Sequence, residues 1–205
     1  MKNIEEAKVI LDNTWSAIKN ECMNIYASEL HYQAMIYHCL RDYGNVPKEQ
    51  IGMNVKMWID NPVSKVFKNL VQKRHEDYRG GFEPIPDIVL FSPNISNDWR
   101  RRNHKNTLKN MFVAIEVKAS EREKSRLRPK EIITDIEKLD AHRQEVENRG
   151  ATMFPVMLII DSAPLDKELM TNEGLEESRL KAKELNVALL YVSRYKEINT
   201  LKSMV

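Results

Sequence analysis

Two hydrophobic periods follow one another along the chain. Between Ile4 and Tyr43 the sequence has no Gly or Pro, and apolar residues recur every three or four positions. This pattern predicts one or two amphipathic helices, with a break near 20–24. Further along, short apolar runs between polar connections are typical of buried strands. Strands are predicted over 51–59, 86–92, 111–120, 154–161 and 187–193.

Helical patterns separate several of these strands. Pro129 opens an amphipathic segment that Gly150 ends, a second such segment covers 173–185, and a helical turn is expected within 63–73. The resulting order of helices and strands predicts the α/β fold class, with a central mixed β-sheet flanked by helices.

The length and composition narrow the class of protein. A chain of 205 residues suits a single domain, here expected to comprise an N-terminal helical extension (1–24) and a core (25–195). Its 42% hydrophobic and 30% charged residues exclude collagen-like, disordered and membrane proteins. The longest apolar run, Val156 to Ile160, is too short to span a bilayer. Two cysteines in predicted helices and the lack of a signal-peptide pattern favour a cytoplasmic protein with reduced thiols.

The formal net charge of +2 conceals a strong local imbalance. Residues 99–130 contain eleven Lys and Arg against three Asp and Glu, whereas the segments before and after are both net acidic. A basic stretch of this kind indicates a local anionic partner rather than a protein that is basic throughout.

The apolar strand predicted at 111–120 carries two charged residues on one face. Strand alternation puts Glu116 and Lys118 on the side of Ala114, away from their apolar neighbours. Asp87 begins the preceding strand, so hairpin pairing of the two strands would bring its carboxylate beside Glu116. Two carboxylates with open positions around them suit Mg²⁺ or Mn²⁺. The alternatives are structural: Asp87 caps a turn, and Glu116 and Lys118 take part in a cross-strand salt bridge.

A family resemblance follows from these residues. Pro86-Asp87 and Glu116-Val117-Lys118, each in an apolar strand and separated by 28 residues, resemble the motif of the PD-(D/E)XK nuclease superfamily. The resemblance implies a restriction endonuclease-like core, whose order of helices and strands is similar to the order predicted above. It also implies that Asp87, Glu116 and the backbone carbonyl of Val117 hold a metal ion, and that Lys118 is the catalytic lysine.

Glu29 is a further catalytic candidate, because many members of this superfamily carry a glutamate on the first core helix that faces the site. It lies on the apolar stripe of its predicted helix, where a carboxylate without a partner is costly. By resemblance it would support a metal ion or a water. The alternative is a boundary glutamate that bonds Gln33 or His31. His31 is itself a second candidate ligand, by resemblance to the cap-snatching branch of the superfamily.

Basic residues are expected on both sides of the Glu116 strand. Lys and Arg contacts to phosphates supply most of the sequence-independent affinity for nucleic acid. Trp99 would either stack on a base or anchor its loop by packing. The alternative for the charges is a solvated surface loop. The predicted nucleic-acid contacts are Arg100, Arg101, Arg102, Lys105 and Lys109 before the strand and Arg122, Lys124, Arg126 and Arg128 after it.

The helix that follows the motif carries charged residues as well. Asp135, Lys138 and His142 are spaced three and four residues apart on one face. A solvent-exposed ion pair is the expected explanation for them.

Together these features predict a nuclease that hydrolyses phosphodiester bonds, with Mg²⁺ or Mn²⁺ as cofactor and DNA as the expected nucleic acid. Endonucleolytic cleavage is favoured, but exonucleolytic cleavage and an RNA substrate are alternatives that stay open. Whether the protein forms a homodimer also stays open. One alternative is a catalytically silent module that retains the nuclease fold and binds nucleic acid or protein. Another is a nuclease subunit that requires a partner. No P-loop motif occurs in the sequence.

Overall fold

The structure is a computed structural model, which describes residues 1–73, 81–121 and 124–203. The helices of this part are α1 (Ile4–Cys22), α2 (Glu29–Asp42), α3 (Lys65–Gln72), α4 (His104–Lys109), α5 (Pro129–Glu147) and α6 (Asn172–Glu184). Its strands are β1 (Ile51–Met53), β2 (Ile59–Asp60), β3 (Gly81–Phe82), β4 (Ile88–Phe91), β5 (Met111–Ala119), β6 (Phe154–Asp161), β7 (Ala188–Ser193) and β8 (Glu197–Asn199).

The main sheet is mixed and has the strand order β1-β4-β5-β6-β7-β8. The pairs β1–β4, β4–β5 and β7–β8 are antiparallel, whereas β5–β6 and β6–β7 are parallel. β2 and β3 form a separate two-stranded sheet. The parallel strands β6 and β7 are buried on both faces, which explains their continuous apolar runs. The predicted α/β class, with a mixed sheet flanked by helices, is confirmed.

Side-chain alternation along β5 divides the apolar core into two layers. Val113, Ile115 and Val117 pack against α1 and α2 on one face of the sheet. Ala114 joins the apolar residues of α5 and α6 on the other face. α1 contributes its buried stripe to the first layer, so the segment predicted as a helical extension packs directly on the sheet.

The strand predicted over 51–59 is divided in the structure. β1 stops before Asn54, whose positive φ of 49° breaks the extended backbone in a conformation that Asn tolerates better than most residues. Val55 and Met57 are nevertheless buried in the second layer of the core. Their apolar alternation continues that of β1 across the turn, which is why the sequence pattern predicts one strand.

The helix ends follow local sequence signals. Asn3 caps α1 by accepting the backbone N–H of Glu6 at 2.8 Å. α5 begins with Pro129, and Gly150, with φ of +76°, follows its last turn as predicted. Among the described residues, no helix combines the length and the apolar character that a membrane span requires.

Candidate active site

Asp87 and Glu116 meet at one end of the main sheet. Ile88 on β4 pairs with Ile115 on the antiparallel strand β5, so the residues next to this pair, Asp87 and Glu116, are also neighbours. Asp87 Oδ2 accepts the backbone N–H of Val117 at 2.7 Å. Because the N–H and C=O of one strand residue point to the same side, the Val117 carbonyl faces the same edge. The structure thus places two carboxylates beside each other, with the Val117 carbonyl oxygen on the same edge of β5.

The electrostatics of this pair disfavour negative charge. Burial, and then the neighbouring Asp87, raise the pKa of Glu116 well above its usual value. Burial also raises the pKa of Asp87, although the Val117 N–H opposes this shift. A bound cation offsets both effects, because it favours the charged form of each carboxyl group. The two carboxyl groups with raised pKa values, together with the Val117 carbonyl oxygen, therefore fit a divalent-cation site.

Lys118 lies between two other carboxylates. Its Nζ is 3.2 Å from Glu29 Oε2, at the start of α2, and 3.3 Å from Asp135 Oδ2, on α5. Burial alone would lower the pKa of Lys118, but the carboxylates of Asp135 and Glu29 outweigh that effect and raise it. Lys118 is therefore a positive charge held at this end of β5.

Asp135 belongs to the site, although its spacing from Lys138 predicts a solvent-exposed ion pair. Its ion pair with Lys138 is present at 2.8 Å, but the same carboxylate also contacts Lys118, and Asp135 is only 8% exposed. The expectation of a solvent-exposed cluster is also wrong for His142, which is buried and whose pKa burial lowers to about 3. Asp135 follows Ile132 by three residues on the buried side of α5, and this spacing was the available signal.

Glu29 reaches the site through Lys118. Both of its carboxylate oxygens accept hydrogen bonds from Lys118 Nζ, and its backbone N–H donates to Glu121 Oε2 at 2.9 Å. Burial raises the pKa of Glu29, and Lys118 only partly opposes this. The other candidates on α2 lie elsewhere: His31 is exposed on the helix surface, and Gln33 accepts a hydrogen bond from Asn54.

A cavity of about 480 Å³ opens beside Lys118, and we refer to it as the Lys118 cavity. Its volume lies in the range of ligand and substrate sites. Acidic and basic side chains both line it, among them Glu29, Glu121, Asp135, Lys118, Arg126, Lys130 and Lys138.

The predicted nucleic-acid contacts that precede β5 do not line the Lys118 cavity. These residues are Arg100, Arg101, Arg102, Lys105 and Lys109, all within the described part of the chain. Their connection enters β5 at Met111, about 20 Å along the strand from Lys118. Acidic neighbours already pair with two of them, because Asp98 contacts Arg100 and Glu83 contacts Arg101.

The basic residues that follow β5 lie closer to the cavity. Arg126 lines it, and the Arg126 side chain donates a hydrogen bond to the carbonyl oxygen of Lys167 at 2.6 Å. Lys130, in the first turn of α5, lines it as well. Lys124 and Arg128 are exposed in the same loop, whereas Arg122 lies outside the described residues.

A metal ion here would need ligands beyond protein side chains. Across the part of the chain that the structure describes, no group of three or more His, Cys, Asp or Glu is arranged to hold a metal ion. One or two carboxylates, completed by water and phosphate oxygens, are however a usual ligand set for Mg²⁺. Comparisons with known protein families, with curated proteins and with solved structures found no match to this chain. Its candidate function therefore depends on the geometry of the site.

Proposed function

We propose that this chain is a divalent-metal-dependent nuclease of the PD-(D/E)XK type, with a restriction endonuclease-like core. The observation that carries the proposal is the convergence of Asp87, Glu116 and the Val117 carbonyl at one end of the sheet, with Lys118 beside them on β5. The mixed sheet between two helical layers is compatible with such a core. The proposed reaction is hydrolysis of phosphodiester bonds, with DNA as the expected substrate.

Asp87, Glu116 and the Val117 carbonyl would hold Mg²⁺ or Mn²⁺. All three supply hard oxygen donors, and the raised pKa values of the two carboxyl groups indicate that a cation would stabilise their charged forms. When bound, the ion polarises a phosphoryl oxygen and lowers the pKa of its water. Glu29 supports the site through its contact with Lys118.

Lys118 stabilises the negative charge that develops on the phosphate during hydrolysis. Its ion pairs with Glu29 and Asp135 orient the side chain and keep it protonated. A charge that is positioned before the reaction needs no reorganisation in the transition state, which makes its stabilisation effective. Arg126 and Lys130, on the wall of the Lys118 cavity, contact phosphates on either side of the cleaved bond.

The test is cleavage of supercoiled, linear and single-stranded DNA and of RNA, in Mn²⁺ and in EDTA. The wild-type protein is expected to cleave at least one of them only with the divalent ion. Glu116→Gln and Lys118→Met should each lower the rate by about 10²-fold or more. Glu177→Gln, an exposed glutamate on α6, is the matched control and should keep the wild-type rate.

Circular dichroism and thermal melting establish that each variant is folded. Cleavage that survives both changes would remove the proposed roles of Glu116 and Lys118. Salt-sensitive binding in EDTA without turnover on any substrate would contradict the nuclease and favour a catalytically silent nucleic-acid-binding module.

A further inference from the structure

A second cavity of about 470 Å³ adjoins the Lys118 cavity, and we refer to it as the Tyr26 cavity. The two cavities share Ser120 and Glu121 in their walls, so they are neighbours just beyond the C-terminal end of β5. The Tyr26 cavity lies between the connection from α1 to α2 and the loop that follows β6.

Apolar and aromatic surface forms much of the Tyr26 cavity. Tyr26 lines it and is 64% exposed, so one large aromatic ring is open to solvent beside the cavity. Ala27, Ala163 and Pro164 add apolar surface around it. An exposed ring at the edge of a cavity is suited to stacking against a flat ligand.

The backbone that carries Tyr26 is anchored to the core. Tyr32, which is fully buried, donates its hydroxyl hydrogen to the carbonyl oxygen of Ile25 at 2.5 Å. The same hydroxyl lies 2.7 Å from Oγ of Ser162, the residue that follows β6. The position of Tyr26 is therefore tied to the sheet through the residue that precedes it.

The polar groups of the Tyr26 cavity are hydroxyls and carboxylates. Ser28 is the N-cap residue of α2 but makes no capping hydrogen bond with its side chain, so its hydroxyl is not committed to the helix. Glu168 is 5% exposed, and one of its oxygens accepts the backbone N–H of Lys124 at 2.8 Å. A carboxylate has further acceptor sites. These groups can accept hydrogen bonds from the amino group of a ligand.

The charge of the Tyr26 cavity is opposite to what a phosphate requires. Its described walls contain Glu121 and Glu168 and no Lys or Arg, whereas the Lys118 cavity offsets its four carboxylates with Lys118, Arg126, Lys130 and Lys138. Two carboxylates repel a phosphate. A neutral, flat group with amino donors suits the Tyr26 cavity, and an anionic group suits the Lys and Arg side chains of its neighbour.

We propose that the Tyr26 cavity binds an unpaired nucleobase of the substrate, stacked on Tyr26, while the adjoining backbone phosphate occupies the Lys118 cavity. This inference rests on the proposed function and names its substrate class. A base inside a duplex is stacked and paired, and it reaches a side pocket only after unpairing. The preferred substrate is therefore single-stranded, or has an unpaired end or flap, at the position next to the cleaved bond.

The test is binding in EDTA, measured by fluorescence anisotropy, which does not depend on cleavage. The probes are a labelled single strand, a blunt duplex of the same sequence and a strand of abasic residues. Tyr26→Ala should weaken binding of the single strand roughly 5- to 150-fold and leave duplex binding unchanged. Tyr26→Phe should bind like wild type. Tyr43→Ala, which removes a 56% exposed tyrosine at the other end of α2, is the matched control.

The outcomes separate this site from the proposed function. Equal affinity of wild type and Tyr26→Ala for the single strand overturns the base site, as does an equal loss on the single strand and on the abasic strand. Tyr26-dependent binding without Mn²⁺-dependent cleavage contradicts the nuclease and retains the base site. Mn²⁺-dependent cleavage together with binding that does not depend on Tyr26 retains the nuclease and contradicts the base site. A protein that binds none of the probes contradicts both the nuclease and the base site.

Discussion

Replacing Glu116 with Gln is expected to stabilise the protein when no divalent ion is bound. The fold holds Glu116 next to Asp87 on paired strands and raises the pKa of both carboxyl groups. Two negative charges about 5 Å apart, with an effective dielectric constant of 20, repel each other by about 3 kcal/mol. Protonation of one carboxyl group relieves part of this repulsion. The expected gain is therefore about 1–3 kcal/mol, or roughly 2–12 °C in melting temperature.

The pH dependence of this effect has a definite sign. A carboxyl group whose pKa is raised by folding takes up protons as the chain folds, so its contribution favours folding at low pH and is lost as the pH rises. The stability difference between Glu116→Gln and wild type should therefore grow from pH 5 to pH 8. Urea unfolding in EDTA measures it, with Glu177→Gln as the control.

Addition of Mg²⁺ should then stabilise the wild-type protein and have little effect on Glu116→Gln. A Glu116→Gln protein that is less stable than wild type in EDTA at pH 8 would refute this reasoning. In that case the contacts of the free protein would already stabilise the Glu116 carboxylate, and the site would have no need of a cation.

Three further predictions concern residues around the site and in the core. Lys130→Ala should lower the affinity for nucleic acid and reduce the slope of log affinity against log salt concentration by about 1, whereas Arg100→Ala should change neither quantity. Equal effects of the two variants in a salt titration would contradict the different roles of the basic residues before and after β5. Trp99 stacks on Phe91 with ring centroids 5.3 Å apart. Trp99→Ala should therefore lower the free energy of unfolding in urea by about 2–4 kcal/mol and leave the affinity for nucleic acid unchanged. A loss of that affinity without destabilisation would instead favour stacking of Trp99 on a base. Because the pKa of His142 falls to about 3 in the fold, the neutral imidazole contributes stability above pH 6.5, and this contribution is lost as the pH falls. Wild-type protein should therefore lose free energy of unfolding between pH 7 and pH 4.5, and His142→Phe should remove about 2–3 kcal/mol of that loss. An unchanged pH profile of urea unfolding would contradict this.

The part of the site that lies on neighbouring strands could be predicted from the sequence. Strand alternation fixes the faces of β5, and a hairpin between consecutive strands brings Asp87 to Glu116. Both relations are local, because each depends only on the strand period and on the pairing of adjacent strands. For the same reason the α/β class followed from the order of the elements.

The parts that depend on packing between distant elements could not be predicted. Asp135 reaches Lys118 because α5 packs against the sheet beside β5; the spacing from Ile132 indicates the buried side of α5, but it does not specify which strand that side contacts. The sequence order places Arg100 before β5 and Arg126 after it, but which of the two lines the Lys118 cavity depends on packing. The Tyr26 cavity combines the connection before α2 with the loop after β6, which are more than a hundred residues apart.

The central claim, a divalent-cation site formed by Asp87, Glu116 and the Val117 carbonyl, is tested most directly by titrating Mn²⁺ into the protein in a calorimeter. The wild-type protein is predicted to show saturable binding at this site. Asp87→Asn keeps an acceptor for the Val117 N–H but loses the charge, and it should weaken binding at least about tenfold. Saturable binding that is equal in wild type and Asp87→Asn, or no binding by the folded wild-type protein, would contradict the account.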